Sequence, residues 1–426
     1  MARRAFARGL ASLLLLAAVA IGSVAPTLAR DSADRVREVV TITEKLFLYP
    51  IHPDAYTEAV RAAQAAAEGR ADGHPSSPVA RISAAEFDGA ISALMARHPA
   101  QADRIATAAI RGFTESLHDP YTTWLSARDK EMLDAQQSGQ AFTGIGVEVA
   151  PDPLGLRVVA ALEGTPARGA GLRPGLRIVA VDGTALAGLG LYRASDLLLG
   201  PLGSALPLTV QTPDGVRRAL RVERARLVIP PVRGGILESE GVAVGYVRIA
   251  IFGPGTATEA RTIITRLAHQ GARAWIIDLR DNPGGTLTSA LDIAALFAPG
   301  HVLLRVQRRG GIEEARRAPG DEAKASRPVV ILMNGGTASS SEVLAGALSD
   351  LGIAQLMGER SFGKGVIQSV VPLQDGGALR LTTATYRTPN GRDIHGQGLP
   401  PDMKTPTEGD AVVGRALRWV AERAKR

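Results

Sequence analysis

The sequence predicts an α/β protein built from a mostly helical N-terminal region, a compact β domain and an α/β core. Three observations carry that prediction. From Val228 onward, apolar strands alternate with amphipathic helices, the pattern of a sheet covered on both faces. Between Phe142 and Arg226 the texture is short β segments bounded by turn residues. Upstream of these, apolar residues recur at helical spacing.

The first 29 residues read as a targeting segment. Arg3, Arg4 and Arg8 precede an apolar run from Leu10 to Ile21, followed by small residues and Thr27-Leu28-Ala29. This is the layout of a signal peptide, with cleavage expected after Ala29 and Ala25 as a second candidate. The run is too short to span a bilayer comfortably, and Arg3-Arg4-Ala5-Phe6 weakly resembles a twin-arginine signal. Export to the periplasm or another extracytoplasmic space is the expectation. An uncleaved segment would leave the chain associated with a membrane.

Residues 30–137 form the helical region. Val36, Val39, Val40, Ile42, Leu46 and Phe47 fall on one helical face, and Ser83 with Glu86 forms a capping box opening a helix to His98. Gly69 to Pro78 reads as a loop. In 138–226, Ile145–Ala150 and Leu156–Ala161 are strands around Pro151-Asp152-Pro153, Leu176–Val181 is a third, and Leu206–Thr212 pairs with Arg217–Val222. Arg193–Leu199 reads as a short helix. In 227–405, strands at Val242–Ile249, Ala274–Leu279, Pro328–Met333 and Ile353–Met357 alternate with helices at Thr256–His269, after Gly285, and at Ser339–Leu351. Residues 406–426 carry a C-terminal helix, Ala411–Ala424.

Composition narrows the function. At 426 residues the chain suits two or three domains, and an apolar content of 45% supports a sizeable core. Aromatic residues make up only 4%, which argues against stacking platforms and a nucleic-acid partner. The net charge of +7 is scattered in short arginine pairs, which reads as a solvated surface. The chain has no cysteine, which excludes disulfides, thiolate metal sites, a cysteine nucleophile and a lipoprotein anchor.

Three segments can carry chemistry. Asn334-Gly-Gly-Thr-Ala-Ser339 lies between a buried strand and a helix. A serine at such a turn sits at the positive end of the helix dipole, where backbone N–H groups can stabilise an oxyanion. The same Ser339-x-x-Glu342 pattern is also a plain capping box. Lysine occurs at only six positions in this arginine-rich chain, and one is Lys364, between glycines. Lysine can be desolvated into a neutral base, whereas arginine cannot. Gln368, four residues on, could orient its amine. Asp281-Asn-Pro-Gly-Gly285 follows the end of a buried strand, where ligands of α/β sheets gather, and its glycines allow close backbone approach.

Together, Asp278-Leu-Arg-Asp-Asn-Pro-Gly-Gly285, Ala338 to Asp350 and Ser361 to Gln368 resemble the carboxyl-terminal processing peptidases. Asp119-Pro-Tyr-Thr122, Phe142-Thr-Gly-Ile-Gly-Val147, Ala170-Gly-Leu-Arg-Pro-Gly175, Asp182-Gly183, Gly376-Gly377-Ala378-Leu379 and Gly391-Arg-Asp-Ile-His-Gly-Gln-Gly398 also match, in order, over about residues 35–405. The resemblance implies a crotonase-like α/β protease core, a PDZ-like β domain, Ser339 as nucleophile, Lys364 as base and Gln368 as its orienting residue. It further implies Gly285 and Ser340 as oxyanion donors, and Gly144, Ile145 and Gly146 as the loop that receives a substrate tail. The expected partners are polypeptides with accessible C-termini, with a homodimer left open, and no cofactor or metal is expected. Leu176 stands where the family usually has an acidic residue, and Ser340-Ser341 replaces the usual alanine-serine pair. A catalytically silent PDZ-containing adaptor is one rival reading and an acyl-thioester enzyme another. A Ser-His-Asp hydrolase using His301 or His395 lacks the Gly-x-Ser-x-Gly elbow.

Overall fold

The computed structural model describes residues 31–426 except 71–72, 138–141, 190–193, 196, 228–229, 321–327 and 408–410. The expected signal segment and parts of the expected 193–199 helix lie outside the described residues. By contact the chain divides into two compact units: one holds residues up to Lys130 with Gln368–Thr383, the other Glu131–Ile367 with Ala384–Arg426.

The first unit is mainly helical. Helices 31–46, Asp54–Ala67, Ala84–Arg97 and Ala102–Glu115 turn Val39, Tyr56, Phe87, Ile91, Ile105 and Phe113 into one apolar cluster. The expected capping box forms at Ser83 and Glu86. A short strand, Thr123–Leu125, pairs antiparallel with Ala378–Arg380, and Leu379 and Leu381 join the same cluster.

The second unit centres on a six-stranded sheet. Its order is Val232–Ser239, Val242–Ile249, Ala274–Asp278, Val329–Met333, Ala354–Gly358 and Met403–Lys404. The first two strands pair antiparallel and the rest parallel. Side chains alternate across the sheet. Val247, Trp275, Ile277, Ile331 and Met333 face the helices Thr256–His269, Leu287–Ala295 and Ser340–Asp350. Val244, Ile276, Val330 and Leu332 pack on Val412, Ala416 and Val420 of the Ala411–Ala424 helix. Covering both faces explains the near-continuous apolar strands.

Residues 147–223 of this unit form a second, antiparallel sheet, while Phe142–Gly144 and Ala225–Leu227 form a separate antiparallel pair. The order of the sheet is Val147–Asp152, Gly155–Ala161, Arg177–Val181, Ala205–Gln211 and Arg217–Glu223, with Thr184–Ala185 beside the third strand. Leu156, Val158, Leu172, Ile178, Leu208 and Val222 fill its interior. The first strand starts later than expected, because Gly146 has φ +77° and interrupts the extended path. It also runs on through Asp152, with the turn falling at 153–154, where Asp152 Oδ1 accepts the Leu154 N–H at 3.1 Å. Proline at an edge strand forfeits no ladder bond the sheet requires. Several strands escape the sequence pattern, among them Val232–Ser239, Val366–Pro372, the hairpin of Val302–Arg308 with Glu313–Arg317, and the long strand Ala378–Arg387. Every residue of Glu313–Arg317 is exposed, so no apolar alternation marks it.

Candidate active site

The C-terminal ends of the parallel strands converge on three loops. The first leaves Ala274–Asp278. Asp278 is fully buried, and its carboxylate takes Arg280 Nη2 at 2.6 Å, Tyr246 Oη at 2.8 Å and Arg248 Nη1 at 3.1 Å. Burial pushes the Asp278 carboxyl up, but the Arg280 hydrogen bonds and the two guanidinium charges outweigh it and hold it below the ordinary range. Arg280 Nη1 also donates to Thr407 O at 2.9 Å. The turn Asp281–Gly285 therefore departs from a fixed base.

That turn is backbone-strained and glycine-dependent. Asp281 has φ +57°, Gly284 φ +102° and Gly285 φ +139°, all outside the usual range for L side chains. A Cβ on Gly284 would lie 2.8 Å from Ser339 Cβ and 3.0 Å from Ser340 N, and one on Gly285 would lie 2.1 Å from Phe252 O. Only glycine lets the turn come this close to the serine. Phe252 N donates to Gly284 O at 2.9 Å and orients the Gly284–Gly285 peptide. Among the described residues, neither Gly285 N–H nor Ser340 N–H has a protein acceptor.

The second loop joins Val329–Met333 to the Ser340–Asp350 helix. Thr337 Oγ1 donates to Leu279 O at 2.8 Å, and Asn334 exchanges hydrogen bonds with Asp281 at 2.9 and 3.1 Å. Ser339 then takes φ +56° and ψ −119°, which no run of regular structure would give it. A half-buried serine in such a conformation, just ahead of a helix, is a residue the surroundings must hold.

Glu342 does much of the holding. It is fully buried, and its carboxylate accepts Ser339 N–H at 2.8 Å, Lys364 N–H at 2.9 Å, Gly363 N–H at 2.8 Å and Ser361 Oγ at 2.5 Å. Burial pushes this carboxyl above its ordinary value, while the four donors act in the opposite sense. The sequence marks Glu342 only as a capping residue. Its long-range partners lie 19 to 22 positions away and leave no local trace. Tyr386, which the sequence pattern does not single out, sits 3.0 Å from Ser339 O and 2.6 Å from Lys364 O through its hydroxyl. One carboxylate and one phenol thus hold the main chains of Ser339 and Lys364 together.

The third loop, Ser361–Gly365, is tied to the second by Phe362 N–H on Thr337 O at 2.9 Å. Phe362 packs beside Ala338, Ala150 and Val159, and the Arg157 guanidinium lies 4.3 Å from its ring centroid. Arg168 pairs with Asp281 at 3.0 Å. The antiparallel sheet therefore abuts the loops directly. Asp350, at the end of the Ser340–Asp350 helix, accepts Asn390 N–H at 2.9 Å. Gln368 belongs to the first unit, where its amide nitrogen stands 3.5 Å from Thr382 Oγ1. Gly144, Ile145 and Gly146 are buried at the head of the antiparallel sheet, away from the three loops in sequence and on their own turn. Among the described residues no group of three metal-ligating side chains occurs, and no helix is long and apolar enough to cross a membrane.

Comparison with known proteins places this arrangement. The model of peptidase family S41 matches residues 243–405. The carboxyl-terminal-processing protease of Picosynechococcus sp. is 38% identical over 303 residues, spanning 70% of this chain and 73% of that protein. Its counterpart in Synechocystis sp. is 37% identical over 297 residues, spanning 69% of each. The solved structure of a photosystem II D1 C-terminal processing protease superposes with a TM-score of 0.68 at 29% identity, covering 91% of this chain and 97% of that one. The chain belongs to peptidase family S41, among the carboxyl-terminal-processing proteases, and is a serine-type peptidase.

Proposed function

We propose that this peptidase hydrolyses exported polypeptides near or from their C-terminus by a Ser-Lys mechanism. The single observation that carries the reading is the shared restraint of Ser339 and Lys364 by Glu342 and Tyr386. Two distant segments are tied together at a serine and a lysine, beside two backbone N–H groups that meet no protein acceptor among the described residues.

The neutral Lys364 amine takes the Ser339 proton as Oγ adds to the scissile carbonyl carbon. The negative oxygen that results is received by Gly285 N–H and Ser340 N–H. Collapse expels the amine, which takes the proton from Lys364, and leaves an ester on Ser339. Lys364 then deprotonates a water that attacks the ester. The second collapse releases a carboxylic acid, which ionises in solvent, while Lys364 returns its proton to Ser339 Oγ. In this reading Gln368 orients the lysine, and no metal or cofactor takes part.

Residues 142–227 act in this reading as a PDZ-like domain beside a crotonase-like core. Val147–Asp152 pairs with only one neighbour among the described strands, so its other edge is available to an added strand. The Ile145 and Gly146 N–H groups meet no protein acceptor among the described residues, as a nest for a terminal carboxylate requires. Residues 1–29 supply export, and the segment's retention would tether the chain to a membrane.

The test compares the purified protein with Ser339→Ala and Lys364→Ala on an unfolded protein ending in an apolar tail. Products are followed by mass spectrometry with EDTA present. Cleavage by the parent alone supports the assignment. Cleavage surviving in both variants overturns it.

A further inference from the structure

We infer that Ser340 is a positioning residue of the oxyanion site through its side chain, in addition to the backbone N–H assigned to it above. The inference rests on the Ser-Lys reading of this site. The two proposed oxyanion donors come from different loops, Gly285 from the turn after Ala274–Asp278 and Ser340 from the start of the Ser340–Asp350 helix. Their usefulness depends on a fixed separation, because donors must lie where the tetrahedral oxygen will be, within a few tenths of an ångström.

The structure shows what sets that separation. Ser340 Oγ donates to Gly285 O at 2.9 Å, and Ser340 is 3% exposed. Ser341 Oγ donates to Asn282 O at 3.0 Å, and Ala338 N–H reaches the same carbonyl at 3.0 Å. The serine hydroxyls therefore staple the turn to the helix at both of its ends. The two staples are not equivalent. Asn282 O keeps a second donor when Ser341 is truncated, whereas Gly285 O has no other protein donor among the described residues. The peptides on either side of Gly285 stay bonded to Phe252, by Phe252 N–H on Gly284 O at 2.9 Å and Thr286 N–H on Phe252 O at 2.6 Å, so loss of the Ser340 bond lets the turn shift against the helix without unfolding it.

The alanine expected from the family resemblance cannot make this bond. In this chain the hydroxyl of residue 340 does the tethering, and it acts on the residue whose N–H faces the reacting oxygen. Its loss is felt where charge develops and little elsewhere. Complete loss of an oxyanion donor costs on the order of 10²–10³ in rate. Displacement of one is expected to cost roughly tenfold.

The experiment measures kcat and KM for a quenched-fluorescent peptide with an apolar tail, on the parent, Ser340→Ala and Ser339→Ala. Inhibition by a peptide aldehyde, which forms a tetrahedral adduct, and by the matching alcohol, which does not, is measured on the first two. The expected result is a kcat about tenfold lower in Ser340→Ala, with KM within about twofold. Aldehyde affinity falls by a similar factor, alcohol affinity holds, and the melting temperature stays close to the parent's. A parent-like kcat overturns the inference. So does a loss confined to KM, or equal loss of aldehyde and alcohol affinity. If Ser339→Ala retains activity, the Ser-Lys reading itself falls and the inference with it. A dead Ser339→Ala beside a parent-like Ser340→Ala removes the inference alone.

Discussion

Replacing Glu342 with glutamine asks how much of the site depends on one buried carboxylate. Its two oxygens receive four donors: Ser339 and Lys364 N–H on Oε2, Gly363 N–H and Ser361 Oγ on Oε1. Glutamine offers one oxygen and an NH₂ that can only donate. With the NH₂ on the Oε2 side, two main-chain N–H groups face it. With the NH₂ on the other side, Ser361 Oγ can turn to accept, because its hydrogen is its only fixed donation and Leu399 N–H uses one lone pair. The second arrangement is cheaper and leaves only Gly363 N–H opposed. An unsatisfied buried donor costs about 1–3 kcal/mol, and bonds to a charged acceptor are worth about 1.5–3 kcal/mol against roughly 1 for neutral ones. Relief from burying a charge offsets part of this. A net destabilisation of about 2–4 kcal/mol is expected. Urea unfolding followed through the buried Trp275 reads it in the unit that holds the site. Gly363 adjoins Lys364, so kcat falls by more than about tenfold, or 1.4 kcal/mol of barrier. An unfolding shift below about 0.5 kcal/mol, with kcat intact, refutes the claim that Glu342 holds the two loops together.

Three further outcomes follow from the same geometry. Gly285→Ala puts a Cβ 2.1 Å from Phe252 O at φ +139°; peptidase activity is lost, and thermal unfolding shows a destabilisation of about 2 kcal/mol or more. Tyr386→Phe removes the hydroxyl that faces Ser339 O and Lys364 O; a single hydroxyl hydrogen serves one acceptor well, so a loss of about 1–2 kcal/mol is expected, with kcat reduced several-fold in steady-state assays. Asp278 is held below the ordinary carboxylate range by Arg280 and Arg248. The unfolded chain therefore binds its proton at higher pH than the folded one, and the contribution is complete above about pH 4 and lost as pH falls through the folded value. Asp278→Asn removes that component, so stability measured by urea unfolding depends less steeply on pH on the acid side.

Much of the core is legible in the sequence because burial imposes a simple pattern. Ala274–Asp278 and Val329–Met333 are buried at every residue, and their apolar character, broken only by Asp278, gives them away. Thr256–His269 and Val242–Ile249 have the bounds the periodicity predicts. Where solvent takes over, the pattern weakens. Glu313–Arg317 is an exposed, mostly charged strand, held by its ladder to Val302–Arg308, and no local rule distinguishes it from a loop. Pro151 suggests a turn but lies inside an edge strand, where its missing N–H costs nothing.

The site divides the same way. Ser339 and Lys364 are marked by chemistry: a serine at a strand-to-helix turn, and a rare lysine between glycines. The groups that hold them are not marked. Glu342 looks like a cap, and Tyr386 carries no mark at all, because each acts through partners distant in sequence. Ser340 shows how little the sequence says of a side chain's partner. It counts in the sequence as a backbone donor, while its hydroxyl bonds to the other half of the same site.

The central claim is that Ser339 is a nucleophile activated by Lys364, and covalent labelling tests it most directly. A fluorophosphonate probe is incubated with the parent and with Lys364→Ala across pH, and the adduct is located by peptide mass spectrometry. The account predicts a single adduct on the peptide holding Ser339, formed at least about 10²-fold more slowly without the lysine. An adduct on another residue, or equal rates in the two proteins, would contradict it.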